Sequence, residues 1–483
     1  MLEKTLAAMR TRDWTAAAEA ALAATAADRP LPRPAVPMLT KLVGLLRKSG
    51  ENAAAALLAD RVVARAPDEP AAWLARSQLA QHRGDLAAAI SDTRAAMARS
   101  ADPGPARPRL ADLLYEAGDL EAAASELRLA LGPNGQDPAL LARLADVADA
   151  AGDTAAMHAA LDRAMAVRRT TGVGSPVLLM ALLRAGRLVD AIPDLDLRWA
   201  ASGAPPRPFP QPPWDGGAVP DRTVLVWGEQ GLGEEIWTAA LLPAVAARAS
   251  HVILECAPRL AALFRRSFPA MTVAARCDPP EVPAADLQTS GVGLLRALDV
   301  RPASHAPHLR ADPAQTAALR ARYRRLGAGP LVGVSWRSAN RHAPTAKASR
   351  LDDWGPILDR AAVFIDLQYG DTDAERAAAA ARGSIIHRDP AVDPLGDLDM
   401  VAAQTAALDA VVTVSNTTAH LAGALGVPSA VLLPRGRGQV WCWLDAATPW
   451  YAGQRICRQA RAGDWSAAIA GAADMLDGRF GRE

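Results

Sequence analysis

The sequence predicts a multidomain protein in which an all-α region of helical repeats precedes an α/β region built from two parallel-sheet halves. Three observations lead to this fold class: a glycine that recurs every 34 residues, a dense run of prolines, and a later alternation of short apolar runs with helical stretches. The chain has 483 residues, whereas a single domain commonly holds about 100 to 200. More than one hydrophobic core is therefore expected.

The composition argues against several classes of function. Basic and acidic residues balance at 53 against 52, so the chain lacks the basic excess that is typical of nucleic-acid-binding domains. No apolar run reaches the roughly 18 to 20 residues that span a bilayer, and the N-terminus lacks the order of a signal peptide. The four cysteines show no metal-ligand or CxxC spacing. We expect a cytoplasmic protein with no metal site, no nucleic-acid partner and no membrane span.

The repeat region is defined by its periodic glycines, which are Gly50, Gly84, Gly118, Gly152 and Gly186. Apolar residues precede each glycine by four or five positions, and a compact or apolar residue follows five positions later. Glycine can end a helix in the left-handed conformation, and small side chains let two helices pack closely. The pattern predicts helix–turn–helix units over residues 1–203. Such an array binds a protein partner, although it could equally mediate self-association.

A proline-rich stretch separates the repeats from the α/β region. Seven prolines between residues 203 and 221 forbid a helix and favour an extended connector, which we predict at 204–221. Beyond it, short apolar runs alternate with helical stretches, which indicates parallel strands joined by helices. Two such sets predict two Rossmann-like halves, 222–328 and 329–483, that face a cleft.

The first motif whose residues could bind a ligand or catalyse a reaction lies between a predicted strand and the next helix. It reads Trp227-Gly-Glu-Gln-Gly-Leu-Gly-Glu-Glu235, and Gly231 and Gly233 allow the backbone to approach a ligand closely. Glu234 and Glu235 would lie in the first helical turn at the carboxyl edge of the sheet, where ligands bind in open α/β folds. Either residue is a candidate general base, although first helical turns also favour acidic residues for structural reasons.

The second motif is a basic loop after the strand that ends at Ser335. Arg337 offers a guanidinium fork and Lys347 offers a point charge, a combination that suits a diphosphate. A solvated surface loop is the structural alternative. Lys347 is the only lysine after residue 48, which favours a functional role.

The third motif joins a strand to a helix at 414–420. Asn416, Thr417 and Thr418 can cap the helix, and the N–H groups of its first turn form a potential phosphate cradle. Capping alone would explain these three residues. It does not require His420, which lies close enough to lend a further hydrogen-bond donor.

The three motifs, in this order, resemble those of a bacterial family of glycosyltransferases. That family couples tetratricopeptide repeats to a GT-B domain akin to the lipopolysaccharide heptosyltransferases and, more distantly, to O-linked N-acetylglucosamine transferase. The resemblance spans nearly the whole chain and includes the short segment Thr448–Tyr451. It is strongest over Gly228–Pro243, Asp366–Asp371 and Val412–Pro434. The resemblance implies a tetratricopeptide-repeat solenoid followed by a GT-B-like domain, with the acceptor side first and the nucleotide-sugar side second.

The resemblance also implies roles for individual residues. Glu234 occupies the position of the family's candidate base, where relatives carry Asp. Arg337 and Lys347 fit the diphosphate-binding loop, and the residues at 416–420 match the later motif. Ser415 departs from the family, which usually has Asp at this position.

The implied function is transfer of a sugar from a nucleotide sugar to Ser or Thr hydroxyls of a protein acceptor held by the repeats, without a metal or other cofactor. Gln368, Tyr369 and Asp371 would contact the nucleoside. Relatives of this layout glycosylate flagellin with nonulosonic acids, so flagellin is the expected acceptor. Two alternatives stay open: a non-catalytic repeat scaffold with a degenerate transferase domain, which Ser415 favours, and an enzyme like the lipopolysaccharide heptosyltransferases.

Overall fold

The computed structural model describes residues 2–26, 30–133, 135–202, 205–229, 231–300, 305–338, 348–438, 448 and 450–481. The chain divides into two compact units, Met1–Val147 and Ala148–Glu483. The predicted fold class is confirmed, because α-helices occupy the chain as far as residue 202 and two parallel sheets follow. No helix in the described ranges is both long enough and apolar enough to cross a membrane.

The first unit consists of α-helices joined by short turns. They are α1 (Leu2–Thr11), α2 (Trp14–Thr25), α3 (Ala35–Lys48), α4 (Asn52–Arg65), α5 (Pro70–His82), α6 (Leu86–Arg99), α7 (Arg107–Glu116), α8 (Leu120–Leu131) and most of α9 (Pro138–Ala151). Helices α3 and α4, α5 and α6, and α7 and α8 pack as consecutive pairs. These pairs are the helix–turn–helix units that the 34-residue period predicts.

The turns show why glycine recurs. All five periodic glycines have a positive φ, between 72° and 89°, a conformation that side chains disfavour. At the second of these turns, the N–H of Asp85 donates to the carbonyl of Ala80 at 2.9 Å and closes the preceding helix. The Asp85 carboxylate then accepts from the N–H of Ala88 at 3.0 Å and caps the next helix. One Gly-Asp pair thus ends one helix and begins another.

Small side chains occupy the crossing points of these helices. Ala55, Ala89 and Ala123 stand five residues after their glycines, and each is fully buried. A larger side chain at these positions would push the paired helices apart.

The second unit begins with the last repeat helices, α10 (Thr154–Thr171), α11 (Pro176–Arg184), α12 (Leu188–Ala191) and α13 (Leu197–Ser202). The turn before α10 bonds directly to the α/β region. Asp149 accepts from Arg435 Nη1 at 3.0 Å and from the N–H of Gly436 at 2.6 Å. The N–H of Ala462 donates to the carbonyl of Ala150 at 2.7 Å. For this reason the division between units falls at Val147, whereas the sequence placed a domain boundary at 203.

The first half of the α/β region is a parallel sheet in the order β3-β2-β1-β4. Its strands are β1 (Val219–Trp227), β2 (Ala249–Cys256), β3 (Thr272–Ala275) and β4 (Leu287–Ser290), with helices α14 (Leu232–Thr238), α15 (Leu242–Ala246), α16 (Ala261–Ser267) and α17 (Leu294–Ala297). Strand β1 begins inside the predicted linker 204–221. Trp214, within that linker, is buried, and its N–H donates to the carbonyl of Gln288 at 2.8 Å. The end of the proline-rich stretch therefore packs against the sheet.

The second half is a parallel sheet in the order β10-β9-β8-β5-β6-β7. Its strands are β5 (Leu331–Ser335), β6 (Val363–Asp366), β7 (Ile386–His387), β8 (Ala410–Val414), β9 (Ser429–Leu433) and β10 (Gln454–Arg458). The helices are α18 (Pro313–Tyr323), α19 (Gly355–Leu358), α20 (Asp373–Ala381), α21 (Leu398–Ala406), α22 (Thr417–Leu425) and α23 (Ser466–Phe480). Every residue of β5, β8 and β9 is buried, which explains their continuous apolar runs.

Helix α18 lies within the predicted first half, 222–328, but it packs against α21 of the second half. The Tyr323 hydroxyl donates to Asp389 at 3.0 Å and accepts from Gln404 at 2.9 Å. The second half therefore begins before α18, and the division comes earlier than the sequence placed it.

Candidate active site

A cleft lies between the two halves at the carboxyl ends of their strands. Its cavity has a volume of about 340 Å³ and is lined on the side of the first half by Leu232 and Arg259. The lining residues from the second half include Tyr369, Leu395, Ser415, Asn416, Thr417, Thr418 and His420. Parallel strands bring their carboxyl ends to one edge of a sheet, so residues distant in sequence meet there.

Asn416 begins helix α22 beside the cavity. Its side-chain carbonyl accepts from the N–H of Thr418 at 2.9 Å, and its amide donates to Ser335 Oγ at 2.8 Å. The asparagine therefore caps the helix and ties the ends of β5 and β8 together. A capped helix start presents backbone N–H groups and the positive end of the helix dipole, an arrangement that suits an anion.

Ser415 precedes this cap and is only 1% exposed. Within the described part of the chain, its hydroxyl has no hydrogen-bond partner, yet the residue lines the cavity. A buried polar group without a partner costs about 1–3 kcal/mol. A ligand oxygen at the start of α22 would satisfy it. A hydroxyl can donate to such an anion, whereas an ionised Asp at the same position could only repel it.

His420 lies where the two halves of the region meet. The residue is 4% exposed, and its Nδ1 forms a hydrogen bond of 3.0 Å with the hydroxyl of Tyr451, which belongs to the segment 448–451. The ring also faces Gly233: a Cβ atom on Gly233 would lie 2.7 Å from His420 Cδ2. Only glycine leaves room for this approach, so the first and third motifs are in contact.

The side chain of Glu235 points into the interior of the first half. Its side chain is buried, pairs with Arg276, and accepts from the N–H of Ala257 at 2.7 Å. Burial raises the pKa of Glu235, and the charge of Arg276 acts in the opposite direction. A Cβ atom on Gly228 would lie 2.6 Å from the Glu235 carboxyl carbon, so the carboxylate lies against the loop backbone. This placement suits a loop anchor and not a base for a substrate in the cleft.

Glu234 stands beside it in the first turn of α14 and is partly buried. Its N–H donates to the carbonyl of Gly231 at 3.1 Å. Glu234 is not among the cavity-lining residues, but Leu232 lines the cavity and Gly233 contacts His420. Since Glu235 pairs with Arg276, Glu234 is the better candidate base of the two.

Arg337 lies next to the cavity. Its guanidinium donates to the carboxylate of Glu375 at 2.9 Å and to the carbonyl of Asp371 at 2.5 Å. The carboxylate of Glu375 offsets the positive charge of Arg337. To bind a phosphate, the guanidinium would have to break this ion pair or bind both groups at once. Lys347, the other predicted phosphate ligand, lies outside the described residues.

The predicted nucleoside turn contains residues of different kinds. Gln368 is 1% exposed, and its side chain accepts from the N–H of Arg337 at 2.9 Å, so it supports the loop. Asp371 is exposed, and its carboxylate accepts from the N–H of Asp373 at 3.0 Å at the start of α20. Tyr369 lines the cavity and is the one of the three placed to touch a ligand there.

Arg259 is a cavity residue that the sequence analysis missed. It follows β2 in a short 3₁₀ turn, Pro258–Leu260, and donates a hydrogen bond to the carbonyl of Leu395 in the second half. The residue brings a positive charge into the cleft from the first half. Its position after the carboxyl end of a strand was a usable signal, but no motif around it distinguished it from the chain's many other arginines.

Comparison with curated proteins identifies a relative. The sequence is 31% identical to Protein FlbA of Caulobacter vibrioides over 353 residues. The aligned residues make up 66% of this chain and 58% of FlbA, so the chain spans less than two thirds of that relative. No profile of a known protein family matches the sequence.

Solved structures resemble separate parts of the chain. The Escherichia coli ADP-heptose lipopolysaccharide heptosyltransferase II is 11% identical, and the match covers 53% of this chain and 98% of that protein, with a TM-score of 0.37. The family 9 glycosyl transferase of Veillonella parvula is 12% identical, covering 53% and 95%, also with a TM-score of 0.37. The MamA protein is 14% identical, covering 35% and 91%, with a TM-score of 0.31.

Proposed function

We propose that the protein is a glycosyltransferase that moves a sugar from a nucleotide sugar to a hydroxyl group. One observation carries the proposal: His420, near the start of α22, contacts Gly233, the residue before Glu234. Direct sugar transfer needs positive groups at the departing phosphate and a base at the attacking hydroxyl. The contact places the start of α22, which suits the departing phosphate, next to the loop that carries the candidate base.

The donor phosphate binds at the start of α22 in this proposal. The first-turn N–H groups and the Ser415 hydroxyl donate to its oxygens, and Arg259 supplies a positive charge from the opposite half. These protein groups stabilise the negative charge that develops as the phosphate leaves, without a metal ion. Support comes from the buried hydroxyl of Ser415, which a ligand oxygen would satisfy.

Glu234 acts as the base. It takes the proton of the acceptor hydroxyl while that oxygen attacks the anomeric carbon of the sugar. The bond from the anomeric carbon to the phosphate oxygen breaks, and the nucleotide departs with the electron pair. The pairing of Glu235 with Arg276 supports the choice of Glu234.

The acceptor in this proposal is a protein bound by the helical repeats, with flagellin as the specific candidate and a nonulosonic acid as the sugar. The repeat region supports a protein acceptor, because arrays of this kind bind proteins or extended peptides. Flagellin and the sugar come from the resemblance to transferases of the same layout.

A second candidate function is a scaffold that binds a nucleotide sugar without transferring it. Two observations favour it: Ser415 replaces the family's acidic residue, and Glu375 holds Arg337 in an ion pair at 2.9 Å. The two functions differ in one measurable respect. Both bind the donor, but only the transferase modifies the acceptor.

Donor binding and transfer can be tested in sequence. A panel of nucleotide sugars is screened first for a rise in thermal stability, which identifies a ligand of the folded chain. The best donor is then incubated with flagellin, and modification is followed by intact mass. Glu234→Gln should bind the donor normally but transfer at least about 100-fold more slowly. Glu281→Gln, which removes an exposed carboxylate from the same half, is the matched control.

Three results would change the proposal. Donor binding without transfer by the wild-type chain would support the scaffold. Full transfer by Glu234→Gln would remove Glu234 as the base. Loss of transfer in Glu235→Gln at unchanged stability, with Glu234→Gln active, would move the role by one residue.

A further inference from the structure

We propose that Arg198, in the last helix of the repeat region, is a positioning residue for the candidate catalytic loop and acts through Glu229. The inference rests on the proposed function. Arg198 lies in α13, and Glu229 is the second residue after β1, in the loop that leads to Glu234. The helices at the end of the repeats would thus hold the loop in its working position.

The pair has the geometry of a specific anchor. Arg198 Nε donates to Glu229 Oε2 and Nη2 donates to Oε1, both at 2.9 Å, which is a two-bond, fork-like pairing. The two side chains are only 9% and 2% exposed. Glu229 Oε1 also accepts from the N–H of Val292 at 3.0 Å. Arg198 Nη1 also donates to the carbonyl of Leu195 at 2.8 Å and to the carboxylate of Asp196 at 3.4 Å, and Nη2 donates to Ser290 Oγ at 3.2 Å.

The loop depends on such anchors because of its composition. Gly228 and Gly231, between the end of β1 and the start of α14, give its backbone wide conformational freedom. Arg198 holds the loop at Glu229, and Arg276 holds it at Glu235. Glu234 lies between these two points, so its position follows from both anchors. Misplacement of a reacting group by about 1 Å can cost about 100-fold in rate.

The repeat pattern supports a function for this arginine. In the earlier repeats the equivalent position holds a small apolar residue, namely Val62, Ala96, Ala130 and Ala164. Arg198 breaks this column. The next residue, Trp199, stacks on Trp227 at the end of β1 with 6.0 Å between ring centroids. The departure from the repeat therefore coincides with a contact to the strand that carries the loop.

Two conservative variants, one on each side of the pair, separate positioning from simple stabilisation. Arg198→Lys keeps the positive charge but loses the planar fork. Glu229→Gln keeps the size of the side chain and one acceptor oxygen. Arg296→Lys is the matched control, because Arg296 pairs with Asp196 at 2.7 Å and joins the same two segments through exposed side chains that do not touch the loop.

The first measurement is hydrogen exchange of the full chain without ligand. Arg198→Lys and Glu229→Gln should accelerate exchange of the amides at 231–238 by at least about tenfold, since the loop loses one of its anchors. Arg296→Lys should leave these amides unchanged. Unchanged protection in the first two variants, or equal acceleration in the control, overturns the inference whatever the chain's activity.

The second measurement is the kinetics of transfer. In both variants kcat should fall at least about tenfold while the KM for the donor stays within about twofold, because the base is misplaced and the donor site is intact. The double variant should be no slower than the slower single variant, since both act through one pair. Altered exchange with normal kcat overturns the positioning role. If exchange is altered in the variants but the wild-type chain transfers no sugar, the proposed function is refuted and the loop anchor is established.

Discussion

Replacing Gly233 with alanine tests the contact between the two sides of the cleft. The added methyl group would lie 2.7 Å from His420 Cδ2 and 3.0 Å from Nε2. The ring cannot turn away without losing its hydrogen bond to Tyr451. Overpacking of this kind costs about 1–3 kcal/mol, and alanine in α14 regains at most about 1 kcal/mol of helix propensity. We expect Gly233→Ala to lower the free energy of unfolding of the second unit by about 1–2 kcal/mol.

A double-mutant cycle isolates the contact. His420→Ala removes the ring atoms that are the nearest neighbours of the added methyl group, so in that background Gly233→Ala should be neutral or stabilising by up to about 1 kcal/mol. The coupling energy between the two positions should be about 1–3 kcal/mol. Urea unfolding followed by tryptophan fluorescence measures it, with Trp237 in α14 as one of the buried reporters.

Gly231→Ala is the control for this cycle. Its nearest contact would be Glu234 Oε2 at 3.7 Å, and its φ of −152° suits any residue. We expect a change within about 0.5 kcal/mol. Additive effects of Gly233→Ala and His420→Ala would refute the contact.

Three other changes probe the cleft, the response to pH and the boundary between units. Arg259→Gln should weaken donor binding by about 1.5–3 kcal/mol if the guanidinium contacts the phosphate, and unchanged affinity by calorimetry would remove it from the site. Burial lowers the pKa of His308, so the second unit should lose stability as the pH falls below about 6.5, where the unfolded chain takes up the proton first. His308→Gln should flatten this dependence in urea titrations, and an identical slope would contradict it. A fragment of residues 148–483 should fold and bind the donor. The fragment 222–483 should be about 3–5 kcal/mol less stable, because it lacks Arg198, the buried partner of the Glu229 carboxylate. Equal unfolding midpoints of the two fragments would refute this reasoning.

The repeat turns were predictable because their causes are local. A glycine at Gly84 is required by one backbone angle, and Asp85 begins the next helix through a hydrogen bond three residues away. Both requirements are written in consecutive residues. The same holds for Asn416, whose capping role follows from its place between a strand and a helix.

The partners within the site were not predictable in this way. Glu234 and Glu235 are neighbours in one helical turn, so they point about 100° apart, and only the fold shows which one meets Arg276. The pair of Arg198 and Glu229 joins residues on different elements. In the sequence, Arg198 is recognisable only as a break in a column of small apolar residues. Composition marks the proline stretch, whereas contacts between residues distant in sequence divide the chain into compact units at Val147.

The turn at Gly152 places a limit on how this chain could be re-engineered or could vary among relatives. Around Gly50, Gly84 and Gly118 an added Cβ atom would meet open space, but at Gly152 it would collide with the carbonyl oxygen of Ala460. Upstream repeats can therefore be added, removed or exchanged in whole periods of 34 residues without disturbing that carbonyl. A graft of a foreign array should be spliced at residues 147 and 148, in helical phase, since this join lies within α9. The turn at Gly152 must be kept together with the sheets that it contacts, whichever repeat array precedes it.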